Sequence, residues 1–265
     1  MVAAALAWCC TQARNYTGPA GPRYAGSYLT EPAAPRTGPL KVVTFNIRYA
    51  IHVDRAIVLL REREPLRDPD VVALQEMDAA GADLIARALG DNYVYYPGAF
   101  HPVGGKDFGN AVLARGPIED DRKIILPHLS RFRQMQRIAV AATVVLRGER
   151  VRVYSLHLAT QADLSGSDRR DQIETVLRDA RDWKGPAIVA GDFNDRDTVA
   201  AAFQAAGFEW VTRGIGPTVH VSSWDHIFAR GFRLAAPGAA AAVADNGGAS
   251  DHLPVWAMLL PAGGR

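Results

Sequence analysis

Ala187-Ile188-Val189-Ala190-Gly191-Asp192-Phe193-Asn194 is the stretch on which the fold turns. Four apolar residues have the composition of a buried strand, and a glycine then opens a polar turn. A carboxylate and a carboxamide two residues apart on an extended segment project to the same side. There Asp192 can accept a proton from water, and Asn194 can hold that water or a phosphate oxygen. In isolation, a polar turn closing a strand is the commoner meaning of such a stretch. Its weight comes from its company.

The same alternation of apolar strand and polar end repeats outward from it. Residues 167–183 carry Ile173, Val176, Leu177 and Ala180 at helical spacing and lead into that strand. Residues 138–146 and 151–158 read as strands joined by the hairpin-like turn Arg147-Gly148-Glu149-Arg150. Nearer the start, 40–47 is β-branched and apolar, 53–63 reads as a helix stopped near Pro65, and 70–76 is a second buried strand ending in Gln75-Glu76. Asp78 has the chemistry of an N-cap for a helix running to Leu89, with Gly90 as its stop. Short strands are expected at 93–96, 111–114 and 123–126. After Asn194 come a helix near 199–206 and strands near 208–211, 225–228 and 255–260, with the alanine-rich 235–244 as loop. Strand-helix-strand units joined to hairpins predict two mixed sheets packed face to face with helices outside.

The whole chain sets limits. Its 265 residues, 48% of them hydrophobic, suffice for one large domain. Thirty basic and 28 acidic residues are mixed without a run of like charge, so a formal charge of +2 neither demands nor excludes a nucleic-acid partner. No stretch reads as a transmembrane span. The folded domain is expected over 40–265. Residues 1–39 hold an apolar N-terminus, Val2 to Trp8, and a Pro/Gly-rich lead-in from Asn15 to Pro39 with little packing of its own. The adjacent Cys9 and Cys10 are expected to form neither a structural disulfide nor a metal site. The apolar stretch reads as the tail of an export signal, with one cysteine a candidate bacterial lipid anchor and the protein periplasmic, secreted or lipid-anchored. Against this, a basic n-region is lacking and Trp8 stands where a small residue is expected. The other reading is an unstructured N-terminus.

Further polar groups end or interrupt hydrophobic strands: Asn46, Glu76, His157, Asp225 and the pair Asp251-His252. Folding gathers strand ends along one edge of a sheet, which is where open sheets keep their sites. With Thr44-Phe45-Asn46, Leu74-Gln75-Glu76, Gly109-Asn110-Ala111-Val112-Leu113, Arg137, Ser155-Leu156-His157-Leu158, Gly191-Asp192-Phe193-Asn194, Trp224-Asp225-His226-Ile227-Phe228 and Ser250-Asp251-His252 in this order, residues 40–260 resemble the endonuclease/exonuclease/phosphatase superfamily. That group contains deoxyribonuclease I, abasic-site endonucleases, neutral sphingomyelinases and inositol phosphate 5-phosphatases.

The resemblance implies a deoxyribonuclease I-like α/β fold, a four-layer α/β/β/α sandwich of two mixed β-sheets flanked by helices, and metal-assisted attack of water on phosphorus. It implies Glu76 as principal metal ligand, with Asn46 and Asp251 beside it. Hard oxygen ligands suit Mg²⁺, with Mn²⁺ or Ca²⁺ as substitutes, and the absence of cysteine from the site disfavours Zn²⁺.

Elementary chemistry supports those roles. A phosphodiester repels nucleophiles, and a divalent ion on a non-bridging oxygen offsets its charge. Water needs a base, for which Asp192 oriented with Asn194 is the choice, while His157 and His252 hold phosphate oxygens. Asp225 is expected to hydrogen-bond His252, fixing its tautomer and raising its pKa. With Asp225 behind it, His252 is also a candidate general base, and the sequence leaves both schemes open. Arg137 and Asn110 are expected at the substrate, with a surface ion pair and a turn amide as the plain alternatives. Arg131, Phe132 and Arg133 form either a substrate-facing loop or a solvated connection. His52, His101, His128, His220 and His226 read as structural or surface residues, and His226 should face away from Asp225 on an extended segment.

His157 inclines the resemblance toward the deoxyribonuclease, sphingomyelinase and small-phosphodiesterase branches. Paired cysteines, a long basic insertion, a lysine-rich loop and an apolar membrane-inserting hairpin are not seen in the sequence. The reading is a compact bacterial-type phosphodiesterase or nuclease, monomeric, acting on a phosphoester of nucleic acid, phospholipid or small molecule. The alternative is a phosphomonoesterase or sphingomyelinase-like enzyme on lipid or sugar phosphates. A non-catalytic module on the same fold would be expected to have lost a metal ligand or an Asp–His partner, and the full set stands.

Overall fold

Strands as rich in apolar residues as 40–47, 71–74 and 187–190 must be covered on both faces, and the computed structural model does so with three apolar layers. It describes residues 12–29, 37–102 and 104–263. Residues 1–11, on which the reading of an export or lipid-anchor segment at Cys9 and Cys10 falls, lie outside the described residues.

In chain order the elements begin with β1 (Arg14–Asn15), β2 (Tyr24–Gly26), β3 (Leu40–Asn46), α1 (Val53–Glu62), β4 (Val71–Met77), α2 (Ala79–Leu89), β5 (Asn92–His101), β6 (Lys106–Ala114) and β7 (Ile118–Ile125). They continue with β8 (Ile138–Leu146), β9 (Glu149–His157), α3 (Gly166–Asp182), β10 (Ala187–Asp192) and α4 (Asp197–Ala205), then β11 (Glu209–Trp210), β12 (Asp225–Arg230), β13 (Phe232–Leu234), β14 (Ala240–Ala242) and β15 (Val255–Pro261). One sheet runs β1-β5-β6-β4-β3-β15-β13, with β2 added to β5 and β14 to β15; the other runs β11-β12-β10-β9-β8-β7. Both are mixed, since β3 pairs β4 and β9 pairs β10 in parallel while their other partners are antiparallel.

Side chains alternate between layers as the pleat requires. Val42 of β3, Val71 and Ala73 of β4, Val153 of β9 and Ile188 and Ala190 of β10 meet between the sheets. Val43, Phe45, Val72 and Leu74 face α1 and α2. Tyr154, Leu156, Ala187 and Val189 face α3 and α4. The expected four-layer α/β/β/α sandwich is therefore the observed one. Local signals hold as well: Asp78 Oδ1 accepts from Gly81 N at 2.6 Å to cap α2, and Gly90 closes it in the left-handed region at φ 71°.

Two expectations are corrected. The lead-in does not lack packing: β1 and β2 pair with the outer edge of β5, and buried Lys123 donates from Nζ to Tyr16 O at 2.9 Å and Gly21 O at 2.7 Å. A free sheet edge offers backbone partners whatever the side chains of the added segment, so composition alone does not reveal such pairing. For the same reason 235–244 is not all loop, because Ala240–Ala242 pairs with β15.

Candidate active site

Inward-facing positions on the central strands are apolar in mid-strand and polar at one end. Along β10 the series Ile188, Ala190 ends in Asp192; along β9, Val151 and Val153 give way to Ser155 and His157; along β3, Leu40 and Val42 give way to Thr44 and Asn46. Register then aligns these ends. Asp192 is the direct cross-strand partner of His157 on one side and of Asp225 on the other, and Asn46 pairs with Gln75 in the facing sheet. Two polar rows thus meet where the inter-sheet core stops.

Glu76 reaches this place through a β-bulge. Between Leu74 and Met77 the pairing with β6 slips, and Glu76 adopts φ 56°. The extra residue turns Glu76 toward the cleft although Gln75 already faces inward, a use bulges serve beside active sites. Close backbone approach explains the glycine before Asp192: a Cβ on Gly191 would lie 1.9 Å from Leu156 O.

Below the site lies a buried polar floor. Thr44 Oγ1 donates to Gln75 Oε1 at 3.2 Å, Gln75 Nε2 to Ser155 Oγ at 3.1 Å, and Ser155 Oγ to Leu74 O at 2.8 Å. Asn110 belongs to this floor rather than to the substrate surface, a correction to its expected role. It is 1% exposed, and its Nδ2 donates to Ile138 O at 3.0 Å and Ser155 O at 3.1 Å, tying β6 to β8 and β9.

Above the floor, Asn46 Nδ2 bridges the sheets, donating to Asp192 Oδ2 at 3.0 Å and Glu76 Oε1 at 3.2 Å. The other carboxylate oxygen of Glu76 accepts from Tyr49 N at 3.1 Å. His157 Nε2 lies 3.4 Å from Asp192 Oδ2 and 4.0 Å from Glu76 Oε1. Arg137 Nη1 lies 2.9 Å from His157 Nε2 and 3.0 Å from Nδ1, at the edge of the ring. His252 Nδ1 is 2.8 Å from Asp225 Oδ2, with Nε2 3.7 Å from Asp192 Oδ2. Asn194 donates its backbone N–H to Asp192 Oδ1 at 2.9 Å and its Nδ2 to Leu158 O at 3.0 Å, so it braces Asp192. Asp251 stands at the rim, 39% exposed and 3.5 Å from Arg48 Nε.

Burial and neighbouring charge set the protonation states. Burial pushes Asp192 up to about 7, helped by Asp225 and Glu76 and opposed by His252 and the Asn194 N–H. His252 is pulled down by burial but carried up to about 10 by the charge and hydrogen bond of Asp225, with Asp192 and Glu76 adding to it. His157 is held well below its usual value by burial and by the Arg137 and His252 charges, so it is neutral and its approach to Asp192 is not an ion pair. Burial also raises Glu76, against the pull of Arg137 and Asn46.

Glu76, Asp192, Asp225 and Asp251 bring four carboxylates together, with Arg137, a protonated His252 and, at the rim, Arg48 beside them. That cluster of oxygen donors fits a hard divalent cation. The ligand atoms drawn closest here, mutually within 4.8 Å, are those of Asp192, Asp225 and His252 rather than of Asn46, Glu76 and Asp251. The His252–Asp225 hydrogen bond accounts for that closeness, and an imidazole holding both protons has no lone pair for a metal. The oxygen set around Glu76 is the better fit.

The cleft encloses about 420 Å³. A larger surface groove of about 660 Å³ beside α1 holds none of these groups and is lined by opposed surface charges such as Asp54 and Arg55. Tyr49, His101, Arg133, His220 and Trp224 also line the cleft, so His101 and His220 are corrected from structural or surface residues to cleft residues. His101 ends β5, the same signal that marked His157. It was hidden because Pro97-Gly98 interrupts the strand pattern, where the pairing with β6 slips. His226 does face away from Asp225, buried among Phe193, Trp210 and Phe228.

The model of the Endonuclease/Exonuclease/phosphatase family matches residues 43–252. Among solved structures, an endonuclease/exonuclease/phosphatase from Beutenbergia cavernae is 24% identical with a TM-score of 0.65, over 85% of this chain and 72% of its own. One from Bacteroides vulgatus is 18% identical with a TM-score of 0.67, over 85% and 100%. The human Nocturnin catalytic domain with bound sulfate is 20% identical with a TM-score of 0.63, over 91% and 98%. No curated protein matches the chain by sequence. With the family model spanning every strand end that builds the cleft, the chain belongs to the endonuclease/exonuclease/phosphatase family.

Proposed function

We propose that this chain is a divalent-metal-dependent phosphodiesterase or nuclease in which Asp192 takes the proton of the attacking water. Members of the family are in general hydrolases of phosphoester bonds and generally need a divalent metal. The observation that carries the finer reading is the setting of Asp192, whose Oδ2 lies 3.0 Å from Asn46 Nδ2, 3.4 Å from His157 Nε2 and 3.7 Å from His252 Nε2. Groups gathered so closely around one carboxylate oxygen can also meet a phosphate and the water beside it.

Each side chain then has a task. Asp192, raised to about 7, is basic enough to accept a proton near neutrality and is aimed by the Asn194 N–H. His252 cannot serve as base while Asp225 keeps it protonated, so it holds a phosphate oxygen and can give its Nε2 proton to the leaving oxygen. Neutral His157, held at its edge by Arg137, contributes an uncharged hydrogen bond. Glu76, Asn46 and Asp251 would hold the metal, for which Mg²⁺ suits the oxygen donors, with Mn²⁺ or Ca²⁺ as substitutes. When bound, the ion supplies charge neutralisation at a non-bridging phosphate oxygen.

Hydrolysis of bis(p-nitrophenyl) phosphate and of plasmid DNA tests this. Chelator should abolish turnover, and Asp192→Asn or His252→Ala should lower kcat by roughly 10²–10⁴-fold. Full activity in either variant would overturn the assignment. Activity confined to phosphate release from lipid or sugar monoesters would replace the diesterase reading with a phosphomonoesterase.

A further inference from the structure

The catalytic groups leave part of the cleft unused. His101 is 4% exposed yet lines the cleft. Its Nδ1 accepts from Gly104 N at 3.0 Å, which places the ring proton on Nε2. Tyr49 packs on the ring at 4.7 Å between centroids, and Phe108 lies 5.8 Å from it. Phe108 also lies 5.7 Å from the His157 ring, so His101 stands one aromatic ring away from the catalytic cluster. Among the described residues, nothing accepts from His101 Nε2. The half-buried Arg133 lines the same cleft and has no carboxylate or carbonyl on its guanidinium among the described residues. Burial, with Arg133 and Arg137 nearby, lowers the His101 pKa and keeps it a neutral donor.

A fixed donor and a cation without an anionic partner among the described residues, lining one cleft next to a site for one phosphate, have the chemistry of a second anion site. We propose that His101 and Arg133 form a subsite for a second phosphate group carried by the substrate beside the scissile one. The subsite rests on the phosphoesterase reading for its setting, and it narrows the substrate to molecules with two neighbouring phosphates. The source is either the next internucleotide phosphate of a strand or the second phosphate of a small bisphosphate.

Binding is measured by calorimetry with chelator present, so that turnover is off and affinity is read apart from activity. The probes are the dinucleotide TpT with and without a 5′-phosphate, and 1,3-propanediol bearing one phosphate or two. In the wild type the added phosphate should tighten Kd about tenfold in at least one pair, as expected for a charge-assisted contact. A gain in the TpT pair alone identifies a strand, and a gain in the propanediol pair a small bisphosphate. Arg133→Ala should reduce the gain to within about twofold, and His101→Ala should reduce it in part. Melting curves confirm that both variants are folded; if His101→Ala is not, His101→Gln replaces it. No gain in the wild type, or a full gain in Arg133→Ala, overturns the proposal. A gain that Arg133→Ala removes, in a protein that hydrolyses no phosphoester with Mg²⁺, keeps the subsite and overturns the hydrolase reading.

Discussion

Burial does the chemical work at the level of single side chains. Asp225 is fully buried, and among the described residues its side chain bonds to His252 alone, with Oδ1 left without a hydrogen bond. Such a carboxylate is stabilised chiefly by the imidazolium it faces. Asp225→Asn is therefore expected to lower the His252 pKa from about 10 and to lower kcat about 10²-fold or more, with the titration followed by NMR of the imidazole. An unshifted His252 titration would remove Asp225 from that role. His226 makes a separate prediction about stability. Burial lowers its pKa from 6.5 to about 4, against the weaker raising effects of Asp225 and Ser223 O. Above pH 6.5 it is neutral folded and unfolded; as pH falls from 6.5 through 4 the unfolded chain takes the proton first, so stability is lost. Urea titrations at pH 7 and pH 4.5 should show wild type losing ~2–3 kcal/mol more than His226→Phe over that interval. Equal losses would show that His226 ionises without cost.

Secondary-structure elements carry the positioning. The β10 strand approaches β9 so closely at Gly191 that any side chain would strike Leu156 O. Gly191→Ala should cost at least about 1–3 kcal/mol, as overpacking does, and should displace Asp192 from His157. Chemical denaturation reads the first effect, and loss of activity in the protein that remains folded reads the second. At this scale the sequence was largely legible. The stretch 138–146 matches β8, and Asp78 and Gly90 bound α2, because caps and apolar periodicity are local signals. The polar ends Asn46, Glu76, His157, Asp192 and Asp225 were legible too, since each breaks an apolar run. The bulge that aims Glu76 was not, because a bulge is a mismatch between two strands and neither strand contains it alone.

For the molecule as a whole, the lead-in is a structural part of the first sheet. Deleting residues 1–29 would expose the edge of β5 and remove both carbonyl partners of Lys123. The shortened protein should melt at lower temperature and aggregate faster by light scattering, as open strand edges do. Unchanged melting would mean that β1 and β2 contribute no stability.

By itself, the order of apolar runs and polar interruptions determined the class of fold, its layers and the polar strand ends of the cleft, because strand faces and strand ends are fixed by period and position along the chain. Only tertiary structure decided how those ends are used. It set Asp192 between His157 and Asp225 in register. It spent Asn110 on backbone carbonyls and brought His101 and Arg133 to the cleft wall from separate loops and strands. These outcomes depend on which backbones come within hydrogen-bonding distance, a relation between distant segments that no single segment encodes.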